Sequence, residues 1–142
     1  MTKDILVSIT GLQFEMNEEE AVEVISVGEY YYKNGKHYII YEDMLIEGAE
    51  DAGLTKNTIK IGPGQVDIMK KGAGTVHMMF EQNKKNMTYY NTPFGDLLIG
   101  LYTTNMDFQE SEEELLLTLE YALDINGNHV SDCNIVIKVN PR

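Results

Sequence analysis

The stretch from Leu115 to Val139 constrains the fold more than any other part of the chain. Leu117, Leu119, Tyr121, Leu123 and Ile125 alternate with Thr118, Glu120, Ala122 and Asp124. Asn126-Gly127 follows, the pair that most readily takes positive φ at both centres of a tight turn. The alternation then resumes, with Cys133, Ile135, Ile137 and Val139 on one face and Asn134, Val136 and Lys138 on the other. A period of two on both sides of Asn-Gly predicts a β-hairpin. Its strands run to about a dozen residues, long against a usual five or six. Long strands with one apolar face suit a sheet that curls around a single interior.

The rest of the chain repeats this pattern. Ile5, Val7 and Ile9 share one phase; after Gly11 the apolar set moves to Leu12, Phe14 and Met16. A slip of one residue at a glycine predicts a β-bulge. Residues 22–33 and 36–46 form a second hairpin across Asn34-Gly35, rich in tyrosine at Tyr30, Tyr31, Tyr32, Tyr38 and Tyr41. Residues 47–54 read as an acidic loop or one helical turn. Thr55 to Ile61 and Val66 to Ile68 alternate around the turn Gly62-Pro63-Gly64, and Lys70 to Gly74 reads as another turn. Val76, Met78 and Phe80 face one way, His77 and Met79 the other. A polar loop at 82–86, a short strand from Met87 to Thr92 ended by Pro93, a long strand over 95–108 and a turn from Gln109 to Glu114 complete the pass. No segment has a helical period. About ten strands joined by hairpin turns predict an all-β, antiparallel up-and-down meander closed into a barrel of eight to ten strands. Closure also removes the sheet edges that would otherwise aggregate. One domain spanning residues 1–142 is expected, since no linker interrupts the pattern.

Composition narrows the function classes. Asp plus Glu number 23 against 11 Lys plus Arg, for a net charge of −12. A chain this acidic repels phosphate backbones, so no nucleic-acid partner is expected. Arg142 is the only arginine, which removes the usual bidentate clamp for phosphate or carboxylate. The single cysteine, Cys133, excludes an internal disulfide and the usual cysteine-based zinc site. No signal peptide and no run of apolar residues long enough to span a membrane is evident, so a cytoplasmic protein without a membrane partner is expected.

No residue pattern specifies a reaction. The glycine turns at 62–64 and 72–74 open no helix and match no phosphate-binding fingerprint. His37, His77 and His129 have no paired metal-ligand spacing, and each reads as an ordinary surface or hydrogen-bonded histidine. Ser8, Ser26, Ser111 and Ser131 lie outside any Gly-x-Ser-x-Gly elbow. Cys133 shares a face with Ile135 and Ile137 and reads as a buried, inert thiol. The acidic clusters Glu42-Asp43, Glu47, Glu50-Asp51 and Glu110 to Glu114 lack the order of a calcium loop and read as solvated charge. No metal, no cofactor and no catalytic residue is therefore assigned. The tyrosines remain. Tyr30, Tyr41, Tyr90 and Tyr102 lie in strands, where a barrel would gather several at its interior or mouth, and their rings and hydroxyls suit a ligand. Met44, Met69, Met78 and Met79 would add adaptable apolar lining. Core filling by residues of high β-propensity is the plainer account of the same pattern.

Tyr89-Tyr90-Asn91-Thr92-Pro93-Phe94-Gly95, with Thr58-Ile59-Lys60-Ile61 and Tyr41-Glu42, resembles the YwiB-like family of small bacterial proteins. The resemblance covers nearly the whole chain and implies a calycin-like β-barrel. It brings no activity and no catalytic residue with it. The chain has no tryptophan and so lacks the Gly-x-Trp signature of true lipocalins. Ligand carriage borrowed from that group is analogy at the level of the fold. The first reading is non-enzymatic binding of a small apolar ligand inside the barrel, held by Tyr30, Tyr41, Tyr90 and Tyr102. The alternative is a protein-interaction or regulatory module, acting through the outer face of the barrel or as a homodimer. Val136, Met79 and Leu98, apolar on nominally outer faces, point to the alternative. An enzyme comes third.

Overall fold

In a computed structural model the chain is described over residues 3–11, 23–44, 54–71, 75–92 and 95–142. These hold ten strands and no helix. They are β1 (Asp4–Thr10), β2 (Glu23–Lys33), β3 (Lys36–Met44), β4 (Leu54–Gly62), β5 (Gln65–Lys71), β6 (Thr75–Glu81), β7 (Lys85–Thr92), β8 (Gly95–Glu110), β9 (Leu115–Ile125) and β10 (Asn128–Pro141). Each pairs antiparallel with its neighbours in sequence, and β1 pairs with β10 to close the barrel.

Turn chemistry sets the hairpins. Asn34-Gly35 and Asn126-Gly127 take φ of 54°, 76°, 51° and 87°, the left-handed pair whose twist matches the flanking strands. One end of the barrel, called here the near end, carries Asn34-Gly35, Pro63-Gly64 and the turns at 82–84 and 111–114. The far end carries Asn126-Gly127.

Alternation then decides inside from outside. Ile5, Val7 and Ile9 of β1 face inward, as do Ile39 and Tyr41 of β3, Ile59 and Ile61 of β4, and Val66 and Ile68 of β5. Val76, Met78 and Phe80 of β6, Ile99 and Leu101 of β8, and Leu115, Leu117, Leu119, Tyr121 and Leu123 of β9 fill the rest with Ile135, Ile137 and Val139 of β10. Each large apolar side chain so buried contributes about 1.5–3 kcal/mol. Apolar inside and charged outside is the reverse of a membrane-spanning barrel, whose apolar band faces lipid.

Several boundaries differ from the sequence reading. Lys85 and Asn86 belong to β7, because Lys85 pairs with Tyr102 and Asn86 with Leu101. Lys70 and Lys71 continue β5 against Asn57 and Lys56. Gln109 and Glu110 extend β8 against Leu116 and Leu115. In each case a partner strand continues the ladder that polar sequence alone would have ended. Register shifts fall at Thr103/Asn105 in β8 and at His129/Ser131 in β10, two irregularities that the alternation did not reveal. At the expected bulge, Gly11 has φ of 91°, and a Cβ there would sit 2.0 Å from the Asn134 carbonyl oxygen. Leu12, Phe14 and Met16, which were to continue that strand, lie outside the described residues, as do the acidic loop at 47–53 and the glycines at 72–74.

Candidate functional site

The four tyrosines do not meet at one place. Tyr102 is on the outer face of β8, 40% exposed, because its neighbours Leu101 and Thr103 take the inward positions. Its assignment to a barrel interior is corrected accordingly. Tyr41 is buried, while Tyr30 and Tyr90 are half-buried against the core. Tyr30 lies at the near end, beside the start of β1, where its N–H donates to the Lys3 carbonyl at 2.8 Å. Tyr41 and Tyr90 lie toward the far end, on β3 and β7, with three strands between them in barrel order.

At the near end Tyr30 joins a cluster around His37. Its hydroxyl is 2.6 Å from His37 Nδ1, and Glu110 Oε1 is 3.5 Å from Nε2. A carboxylate needs a donor, which assigns the proton to Nε2 and makes the Tyr30 hydroxyl the donor to Nδ1. The rings of Tyr30, Tyr32 and Phe108 stand 5.8, 4.9 and 5.2 Å from the imidazole. Burial lowers the His37 pKa below its ordinary value, and Glu110 partly opposes this. Burial likewise raises the Tyr30 phenol, with Glu110 adding to it. His37 is therefore a packed, hydrogen-bonded histidine that closes the barrel end.

Toward the far end the inner face carries a polar row that sequence reading missed. Tyr41 pairs in register with Asn57, and Asn57 with Lys70. Asn57 is fully buried, and its Oδ1 accepts from Lys70 Nζ at 3.0 Å. Inward parity at 57 and 70, continuing Ile59 and Ile68, was the available signal.

The remaining candidates resolve singly. Asp67 is buried on the outer side of β5, where it accepts from Gln65 Nε2 at 3.0 Å and His77 Nε2 at 2.8 Å. His77 borders a cleft of about 100 Å³ between β6 and β7, reaching Met79, Asn86, Met87, Thr88 and the core residue Leu101. The cleft exists because β6 and β7 share one register pair, Thr75 with Asn91. Asn86 Nδ2 bridges the gap to the Met79 carbonyl at 3.2 Å. His129 is exposed, 3.1 Å from Asp132. Cys133 is half-buried rather than buried, with its sulfur 3.3 Å from Ser131 Oγ. Burial and the adjacent Cys133 push the Tyr121 phenol far above its ordinary range. Among the described residues, no three His, Cys, Asp or Glu side chains converge as a metal set.

Exposed apolar side chains gather on the outer face of β1, β2 and β3. Ile25 is 64% exposed, Val27 51%, Tyr31 40% and Leu6 39%. The register joins them: Leu6 opposes Val27, and Tyr31 opposes Tyr38. Two open grooves, of about 900 and 530 Å³, run along this face and share Tyr31 and Ile40. Lys3 and Lys60 lie over the rings of Tyr31 and Tyr38 at 5.4 and 5.7 Å. A second apolar patch on β7 and β8 combines Met87, Tyr89 and Tyr102. Of the outer residues singled out from sequence, Met79, Leu98 and Val136 are partly covered; Leu98 lies opposite Tyr89, and Met79 lines the cleft beside Met87.

Comparison with known proteins agrees with this architecture and adds no activity. The crystal structure of the ywiB protein from Bacillus subtilis superposes with a TM-score of 0.75 at 23% identity, covering 98% of this chain and 90% of that one. By sequence, the uncharacterized beta-barrel protein YwiB of Bacillus subtilis (strain 168) is 25% identical over 119 residues, 84% of this chain and 80% of the relative. The model of the family described as a domain of unknown function, DUF1934, matches residues 7–137. With its fold and nearly its whole length accounted for, the chain belongs to the DUF1934 family.

Proposed function

We propose that this protein is a non-catalytic interaction module that binds a macromolecular partner through the outer face of β1–β3. The observation that carries the reading is the join of Leu6, Ile25 and Val27 into one exposed apolar surface, which an open groove continues past Glu29 to Tyr31. Contiguous exposed apolar area is costly in water and marks interaction sites on soluble proteins. Tyr31 and Tyr38, paired beside this surface, fit the use of tyrosine at interfaces. The test is a photo-crosslinking residue at position 25, with position 134 on the outer face of β10 as control. A discrete adduct from position 25, lost in a Val27→Asp variant and absent from position 134, is expected. Equal or absent adducts from the two positions would reject the reading.

A second reading keeps a small ligand but moves it toward the far end of the barrel. The row Tyr41–Asn57–Lys70 on the inner face supports it, because polar groups on an otherwise apolar wall give a ligand orientation. The filled middle of the barrel leaves the ends as the places for such a molecule. Native mass spectrometry of protein purified without refolding would give a small adduct lost on denaturation. Its persistence in a Tyr41→Phe, Asn57→Ala variant would place the molecule elsewhere.

A further inference from the structure

We infer that the occupant of the β1–β3 face is a second copy of this chain, packed face to face about a twofold axis that crosses the strands. The inference rests on reading that face as an interaction surface, and charge selects the occupant. The protein carries −12 overall, yet its outer β1–β4 face is close to neutral: Lys3, Lys33, Lys36, Lys56 and Lys60 stand against Asp4, Glu23, Glu29 and Glu42. A strongly basic partner would find no matching field there, whereas a second copy meets little local repulsion.

The charges are also sorted along the strands. Lys33 and Lys36 flank the Asn34-Gly35 turn at the near end, with Lys60 beside them across Tyr38. Glu23, opposite Thr10, and Glu42 lie toward the far end, where Lys56 pairs with Glu42 and leaves that end negative by one charge. Glu29 offsets Lys3 through a 3.4 Å contact, and Asp4 opposite Glu29 offsets a second lysine, which leaves the near end positive by two charges. An axis lying in the interface and crossing the strands superposes the near end of one copy on the far end of the other. Lys33 and Lys36 then face Glu23 and Glu42 twice over, with Ile25, Val27, Tyr31 and Leu6 stacked between. Two twisted sheets pack in this aligned way at roughly 10 Å, about 30° apart. Four strands spaced roughly 4.8 Å apart, at roughly 3.3 Å per residue, give a footprint of about 20 by 30 Å, the scale of a standard interface.

The experiment is sedimentation of the full chain across a concentration series, with two charge-reversed variants. One carries Lys33→Glu and Lys36→Glu, the other Glu23→Lys and Glu42→Lys, all on the barrel's surface, and circular dichroism confirms that each remains folded. The wild type is expected to form dimers. Each variant alone is expected to be monomeric, because both ends of its face then carry one sign. An equimolar mixture is expected to recover a dimer containing one copy of each. A wild type that stays monomeric, or a dimer indifferent to both reversals, would overturn the inference. So would wild-type monomers that bind anionic phosphatidylserine vesicles through this face. The position-25 crosslink separates the two failures. An adduct of non-dimeric mass removes the second copy and leaves the interaction surface standing, whereas no adduct removes both.

Discussion

His37 shows how one position can look like chemistry and act as structure. It is an inward residue on β3, enclosed by three rings and held between a phenol and a carboxylate. Because burial lowers its folded pKa below the unfolded value of about 6.5, the unfolded chain binds the proton more readily. Its contribution is complete above that unfolded value and is lost as the pH falls toward the folded pKa. Stability should therefore decline between pH 7 and 5, by at most about 1.4 kcal/mol per pH unit from this group. Urea denaturation of wild type and His37→Gln across that range should show a flatter dependence in the variant. Thr103 presents the opposite case. Among the described residues its buried Oγ1 has no hydrogen-bond partner, and an unsatisfied hydroxyl costs about 1–3 kcal/mol. Thr103→Val keeps the shape and should raise the unfolding free energy by about 1 kcal/mol. No alternation pattern could have revealed either, because whether an inward polar group finds a partner depends on what other strands bring to it.

Among the elements, the β9–β10 hairpin is the one most completely written in local sequence. Its turn and inward residues match the alternation, because both depend on neighbours in the chain. Gly127 at φ 87° is strained for any residue with a Cβ, and a Cβ there would touch nothing within 4 Å. Gly127→Ala should therefore cost about 1 kcal/mol from backbone strain alone, measurable as a shift in denaturant midpoint. The β6–β7 seam lies at the other extreme. Both strands alternate well enough to be found, yet they share a single register pair. Hydrogen exchange should be faster for amides of Val76 to Phe80 and Met87 to Tyr90 than for Leu117 to Leu123, where the ladder is continuous on both sides. Equal protection in the two regions would mean that the seam is closed in solution.

For the whole molecule, nine of the pairings join consecutive strands, and one, β1 with β10, joins the two ends of the chain. Ile5 opposite Pro141 and Val7 opposite Val139 can form only after the intervening strands are in place. Loop-closure entropy puts such contacts late on the folding path. Ile5→Val should cost about 1 kcal/mol, expressed mainly as faster unfolding. Leu119→Val in the local hairpin should also slow folding. Stopped-flow chevrons of the two variants distinguish these responses. The consecutive pairings of β1 with β2 and of β2 with β3 set the exposed apolar side chains of that face beside one another.

By itself the sequence determined the fold class, the hairpin turns and, where apolar and polar residues alternate cleanly, which side chains turn inward. Those properties rest on the two-residue period and on the backbone freedom of Asn-Gly, and both are local. Sequence could not separate an inward tyrosine from an outward one at Tyr102, nor bring His37 to Glu110 or Tyr41 to Asn57. It also could not show that Leu6, Ile25, Val27 and Tyr31 form one surface. Those relations depend on register and closure, which pair residues far apart in the chain. The polarity of a single strand is silent on them, because only the strand packed beside it decides whether an apolar side chain is covered.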